Sequence, residues 1–259
     1  MPVAVINGRC VLFVHIPKTG GSSVERFLSE HGPLLLKGHG RAAGLRCSAQ
    51  HLHAEALGAI HEAQGYDWAF TIVRHPVARL VSEHRYEMRK PGWLRSRLSF
   101  SGWLALALAR RAADPWYRDN HFRPQHAFIL PGMEIMRFED GGDACLRRIA
   151  ARLGVPAPTR SIREKVSPHT PISLTARVLA RIGQAYESDL DQFGYGMVSM
   201  PASSPTCSAD GRPEQDPAYP ASDGPSRRDR KMSVTRPSKR AACRSGRAAP
   251  ARRSESHGP

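Results

Sequence analysis

The stretch Val11-Leu-Phe-Val-His-Ile-Pro-Lys-Thr-Gly-Gly-Ser-Ser-Val-Glu-Arg-Phe-Leu28 decides how this chain is read. Val11–Ile16 is almost continuously apolar and β-branched, the pattern of a strand buried on both faces of a parallel sheet. The segment Pro17–Ser23 breaks that run, and Val24–Leu28 resumes with helical spacing. The unit is strand, glycine-rich turn, helix. Such a turn collects backbone N–H groups at the positive end of a helix dipole, which makes it a natural seat for a phosphate or similar oxyanion. Lys18 adds an ammonium, and Ser22 and Ser23 add hydroxyl donors. The order is not that of the ATPase P-loop, where lysine follows the glycines and precedes a magnesium-holding hydroxyl. Here Lys18 precedes Gly20 and Gly21, which weighs against an ordinary NTPase or kinase.

Moving outward, the chain repeats the unit. His51–Gln64 reads as a helix with Leu52, Leu57 and Ile60 on one face, and Trp68–Arg74 reads as a second buried strand. Pro76 follows where a first-turn proline is tolerated, and Val77, Leu80, Val81 and His84 recur at helical intervals. Phe100–Ala113 predicts another helix, Met133–Phe138 a third strand, and Asp143–Leu153 a helix stopped by Gly154. Pro33–Arg46 and Val155–Pro171 read as loops, and Ile172–Phe193 as one closing amphipathic helix. Strands alternating with helices imply an α/β three-layer domain around a mainly parallel central sheet.

Composition changes sharply at Gly196. Of the 259 residues, the first 196 carry 26 basic and 17 acidic side chains, and the last 63 carry 12 and 6. The last 63 contain no Leu, Ile, Phe or Trp but 9 Pro and 11 Ser, too little apolar surface to offset ordering entropy. We therefore expect a domain at 1–196 and a disordered basic tail at 197–259. The net charge of +15 admits nucleic acid, an anionic polysaccharide or a phosphorylated cofactor as partner. No apolar run approaches the roughly 18 residues of a membrane span, and the N-terminus lacks a signal-peptide pattern. The 5 cysteines form no C-x-x-C pair, which argues against both a disulfide framework and a zinc site. A reducing, cytoplasmic setting fits.

The order Pro17-Lys-Thr-Gly-Gly-Ser-Ser23 after Phe-Val-His-Ile resembles the 5′-phosphosulfate loop of sulfotransferases that use 3′-phosphoadenosine 5′-phosphosulfate (PAPS). It is closest in pattern to the carbohydrate sulfotransferases, including the hexuronate 2-O-sulfotransferases. The run Arg74-His-Pro-Val-Ala-Arg-Leu-Val-Ser82 is similar to that family's 3′-phosphate motif, with Arg74, Arg79 and Ser82 in the expected order. An arginine fork suits such a phosphate because it donates two charge-assisted bonds at once. Asp119–Gln125 with Phe128, Met136–Glu139, and Tyr186–Tyr195 extend the resemblance. It implies a P-loop-NTPase-like sulfotransferase fold, PAPS held by Pro17, Lys18, Thr19, Gly20, Gly21, Ser22, Ser23, Arg74, Arg79 and Ser82, and a saccharide or other hydroxyl acceptor.

Sulfuryl transfer needs alignment of acceptor, sulfur and leaving oxygen, and stabilisation of charge on the leaving phosphate, with no metal required. Lys18 is the residue suited to that charge. The acceptor hydroxyl needs a base, and histidine titrates nearest neutrality. The resemblance points to the His51-x-His53 pair, with His39 and His121 in reserve. Two positions apart on a helix do not share a face, so both can serve only from a loop or first turn. Trp116, Tyr117 and Arg123 are candidates for an acceptor groove, and the loop 163–169 for a closing segment. Two other classes compete: a nucleotide or sugar kinase, and a polyanion or nucleic-acid binder acting weakly through the tail's basic pairs, for which the tail lacks interleaved aromatics.

Overall fold

The computed structural model describes residues 1–38, 40, 44–58, 65–89, 98–162, 164 and 172–196. It opens with a hairpin absent from the sequence reading: β1 (Val3–Ile6) and β2 (Arg9–Val14) pair antiparallel, with Ile6 opposite Arg9. The connection is Asn7-Gly8, both at positive φ (51° and 73°), the residue pair favoured in a two-residue hairpin turn. After α1 (Gly21–His31), a two-residue β3 (Leu34–Leu35) adds to the free edge of β1, inside the segment expected to be loop.

The second half follows the predicted alternation more closely. The elements are α2 (Ala54–Gly58), β4 (Trp68–Val73), α3 (Pro76–Met88), α4 (Phe100–Ala113), β5 (Glu134–Arg137) and α5 (Gly142–Leu153). Pro76 opens α3 behind His75, whose side chain accepts from the Val77 N–H, and Gly154 closes α5 at φ 66°. The expected single closing helix is two, α6 (Ala176–Ala185) and α7 (Glu187–Phe193), broken at Tyr186 (φ −133°, ψ 28°). Tyr186 is fully buried and its hydroxyl donates to the Phe122 carbonyl at 2.9 Å, a bond that helps hold the break in place.

The strand order is β3-β1-β2-β4-β5, with β2, β4 and β5 pairing in parallel. Since β1 runs against both of its neighbours, it alone is reversed among the five strands. The alternation of β2 explains the layers. Val11 and Phe13 face a core shared with Phe70, Met136 and the apolar sides of α1 and α5. Leu12 and Val14 face a second core containing Leu52, Leu57, Phe128 and Phe193. A strand buried on both sides has to be apolar throughout, as Val11–Val14 is. A third cluster joins α3, α4 and α6 through Leu80, Trp103, Leu104, Ile182 and Tyr186. The architecture is mixed α/β with helices over a mostly parallel sheet. No helix among the described residues is long and apolar enough to cross a membrane. The segment 197–259, His39, residues 59–64 and, apart from Glu164, the loop 163–169 lie outside the described residues.

Candidate active site at the ends of β2 and β4

Because β2 and β4 are adjacent and parallel, the segments leaving their carboxyl ends reach the same edge of the sheet, the usual site of ligand binding in such folds. The first segment is tightly specified. Lys18 (φ 70°) and Gly20 (φ 87°) both occupy the left-handed region, which costs a lysine about 1–2 kcal/mol. Buried Thr19 pins the turn by donating from Oγ1 to the Ile16 carbonyl at 2.8 Å. A Cβ at Gly20 would meet Cε2 of Phe138 at 2.9 Å, and one at Gly21 would meet Cε1 of His15 at 2.7 Å and Nε2 closer still. Gly20 is needed for conformation as well as space, and Gly21 for space alone. Gly21 begins α1, so its N–H and that of half-buried Ser22 are the first donors of that helix, while the Ser23 N–H donates to the Gly20 carbonyl at 3.0 Å. The Ser23 hydroxyl accepts from the Glu164 N–H at 3.1 Å.

Arg74 joins the two segments. Its Nη1 donates to the Lys18 carbonyl at 3.3 Å, its guanidinium lies over the Phe138 ring at 4.3 Å, and its backbone is clamped by Gln125 in both directions. Burial lowers its pKa, and its buried Nε has no hydrogen-bond partner among the described residues. Arg79 is placed otherwise than a phosphate ligand needs. It is fully buried, and its fork donates to the carbonyls of Pro17 (3.0 Å), Arg123 (3.0 Å) and His121 (2.9 Å). It ties the glycine-rich turn to the 121–123 segment from behind. Ser82 lies half-buried on α3 beyond Arg79.

Beside the turn runs a row of three histidines, each paired with a carboxylate. His15 Nδ1 meets Glu25 at 2.5 Å, His51 Nδ1 meets Asp119 at 2.7 Å, and His121 Nδ1 meets Glu83 at 2.8 Å. The His51 ring stands edge-on to both others, with centroids 5.1 Å away in each case. Burial drives His15 down and His51 down to about 3, only partly countered by their carboxylates. Burial alone would raise Glu25, Asp119 and Glu83. The histidine contacts, with Gln50 helping Glu25 and Ser48 helping Asp119, outweigh it and hold all three low. The pairs are thus ionised carboxylates accepting from imidazoles, two of which burial keeps neutral. His121 is the more accessible partner, its side chain 16% exposed against 4% for His51. It stacks near Tyr86, and the Lys18 ammonium sits 4.1 Å from the centre of that same ring.

The segment that carries Asp119 and His121 is itself unusual. Arg118, Asp119 and Asn120 all have positive φ (57°, 59° and 63°). Asp119 accepts from the Ser48 N–H (2.6 Å) and hydroxyl (2.8 Å), and buried Asn120 donates to the His51 carbonyl (2.9 Å) and accepts from Arg123 Nε (2.9 Å). These bonds hold three strained residues in register with the Ala49–His51 turn. That turn is a single 3-10 turn followed by extended Leu52, so His51 and His53 precede α2 instead of lying within the helix the sequence predicts. His51 joins the row. His53 packs edge-on against Trp116 (4.7 Å), with Nδ1 buried and unpartnered among the described residues.

Comparison with known proteins bears on this constellation directly. The profile of the sulfotransferase family matches residues 4–196. The chain belongs to the sulfotransferase family. Among solved structures, a sulfotransferase from Alicyclobacillus acidocaldarius aligns at 18% identity over 70% of this chain and 92% of its own, with a TM-score of 0.45. No curated protein matches the chain.

Within this sulfotransferase-family domain, Arg74 reaches the Pro17–Ser23 turn through the Lys18 carbonyl, while Arg79 supports the turn from behind. Sequence reasoning missed His15, Glu25 and Glu83 and quoted Asp119 only as part of a fragment. Glu25 lies beside Val24, Phe27 and Leu28 on the buried side of α1, and Glu83 lies one turn from Leu80 on that of α3. A carboxylate inside an apolar helical stripe is the signal that marks both.

Proposed function

We propose that this chain moves the sulfuryl group of PAPS to a hydroxyl of a saccharide acceptor, by in-line displacement with a histidine base. The observation that carries the reading is the convergence of Arg74 on the glycine-rich turn: one nitrogen holds the Lys18 carbonyl and another, Nε, is buried without a partner among the described residues. A doubly phosphorylated nucleotide supplies the acceptor atoms such a buried cation needs, and the N–H groups of Gly21 and Ser22 suit its 5′-phosphosulfate.

Lys18 stabilises the charge that grows on the leaving 5′-phosphate oxygen. His121 accepts the acceptor's proton as the new O–S bond forms and the phosphate S–O bond breaks, and Glu83 fixes the imidazole and balances its gained charge. His121 takes this role in place of His51 because it is the more accessible imidazole and shares the Tyr86 ring with Lys18. His51 and Asp119 stand behind it. Trp116, flanked by the guanidinium groups of Arg123 (5.2 Å) and Arg46 (5.6 Å), offers an aromatic face between cations, suited to a sugar ring bearing an anionic group. The described cysteines, Cys10, Cys47 and Cys145, are thiols, in keeping with a reducing cytoplasmic setting.

Incubation of the chain with radiolabelled PAPS and an acceptor panel tests the proposal, with ATP–magnesium as the competing donor. Label should pass from PAPS to a saccharide. Lys18→Ala should lower turnover about 10²–10³-fold while weakening binding of the desulfated product far less. Phosphorylation from ATP, or full turnover by Lys18→Ala, would refute it.

A further inference from the structure

Neither the chain's sequence spacing nor membership of its family marks a metal centre, yet the fold brings His51, Asp119 and His121 together with their ligating atoms all within 4.8 Å of one another. We infer that these three side chains form a binding site for a divalent transition-metal ion of the zinc class, and that the ion competes with the acceptor's proton for His121. Two imidazoles and a carboxylate are a donor set zinc takes in an open, three-ligand site, leaving one position for water. Tetrahedral ligands at 2.0–2.1 Å stand about 3.3 Å apart, so closing the cluster needs side-chain shifts of at most about 1.5 Å.

The surroundings are those of a supported site. Glu83, 2.8 Å from Nδ1 of His121, fixes the tautomer and leaves Nε2 to ligate, the carboxylate–histidine arrangement that commonly backs a metal ligand. Asp119 is oriented by the N–H and hydroxyl of Ser48. His51 is fixed through its carbonyl, which accepts from Asn120. The three ligands come from two segments, the Ala49–His51 turn and the 118–121 segment that contains the left-handed run, which the same bonds hold against each other. An ion bound there takes the lone pair that would receive the proton, so it inhibits transfer. That second half rests on the proposed role of His121, whereas the binding itself does not.

The test uses the untagged full chain, stripped with EDTA and titrated with zinc by equilibrium dialysis and with cobalt by visible absorption. One saturable equivalent of zinc and a four-coordinate cobalt spectrum are expected. His51→Gln, Asp119→Asn and His121→Gln should each abolish them, Glu83→Gln should weaken affinity about 10–100-fold, and His53→Gln should change neither. Zinc should inhibit transfer reversibly, with EDTA restoring it. Absence of saturable binding by the folded parent chain would overturn the site, even if a variant failed to fold. Binding indifferent to His51 and His121 would identify it as adventitious and overturn it equally, and bound zinc that left transfer unchanged would overturn the competition. If no donor supported transfer, the proposed function would fail alone, because dialysis and cobalt absorption decide the metal site without activity.

Discussion

Gly21→Ala is the smallest change that tests whether the glycine-rich turn is built on the buried histidine beneath it. The added Cβ would lie 2.7 Å from Cε1 of His15 and closer to Nε2, inside any tolerable carbon–nitrogen contact. His15 has little freedom to yield, being fixed by Glu25 at 2.5 Å, approached by Gln50 at 3.0 Å and stacked on Phe13 at 5.6 Å. The turn must move instead, and overpacking of this kind costs about 1–3 kcal/mol. For a domain of this size a loss of about 2 kcal/mol lowers the melting temperature by roughly 4–8 °C. A displacement near 1 Å at the start of α1 should cost about 100-fold in transfer. Thermal unfolding by circular dichroism and kcat/KM for PAPS read the two effects. His15→Asn supplies the control, because it keeps a donor for Glu25 while vacating the space. Combined with Gly21→Ala it should destabilise by about 1–2 kcal/mol less than the sum of the single changes. Additive behaviour, or a Gly21→Ala chain as stable and active as its parent, would refute the packing argument.

Arg79→Lys should destabilise by about 3 kcal/mol, since one ammonium cannot reproduce a buried fork donating to three carbonyls; a chemical-denaturation curve with an unchanged midpoint would contradict this. His84, edge-on to Phe100 and Trp103 and without a hydrogen-bond partner among the described residues, has its pKa lowered by burial. The unfolded chain therefore takes up that proton first as pH falls, so the stabilisation is present above about 6.5 and is lost below it. His84→Leu should make stability less steep between pH 7 and pH 5, by less than one proton because the group is partly exposed; an unchanged slope in urea titrations would count against it. Trp116→Ala should raise the KM for a saccharide acceptor about tenfold and leave the KM for PAPS within twofold, and a loss confined to PAPS would place the acceptor elsewhere.

The two strand–turn–helix units were legible because each rests on local signals: an apolar run, a breaker, and a helical stripe. The residues that convert those units into a site were legible only in part. Arg74 and Arg79 look alike in sequence, both arginines near the start of one helix. Arg74 leaves the end of β4 toward the neighbouring turn. Arg79, one turn into α3, faces the core and spends its donors on three carbonyls. Nothing local distinguishes them, because the partners come from residues 17, 121 and 123. The hairpin at Asn7-Gly8 is the opposite case: its signal lies wholly in the dipeptide. The row of histidines is the least legible feature, since its six members come from the end of β2, α1, the Ala49–His51 turn, α3 and the 119–121 segment.

That row also explains why the chain tolerates three consecutive left-handed residues at 118–120. The left-handed conformation costs Arg118 roughly 1–2 kcal/mol, and Asp119 and Asn120 less, so an unsupported loop would relax. The bonds that oppose relaxation all converge on the site: Ser48 and His51 on Asp119, the His51 carbonyl and Arg123 on Asn120, and Glu87 on Arg118 at 2.6 Å. Release of the run would separate Asp119 from His51 and withdraw His121 from Glu83 in the same motion. Strain and the geometry of the histidine row are therefore one conformational state, and the buried carboxylates that look costly in isolation are what fix it. This places the electrostatic design of the site in the pairs behind the imidazoles. It follows that the carboxylates Glu83 and Asp119 should be harder to replace than the surface cations that first gave the sequence its strongly basic appearance.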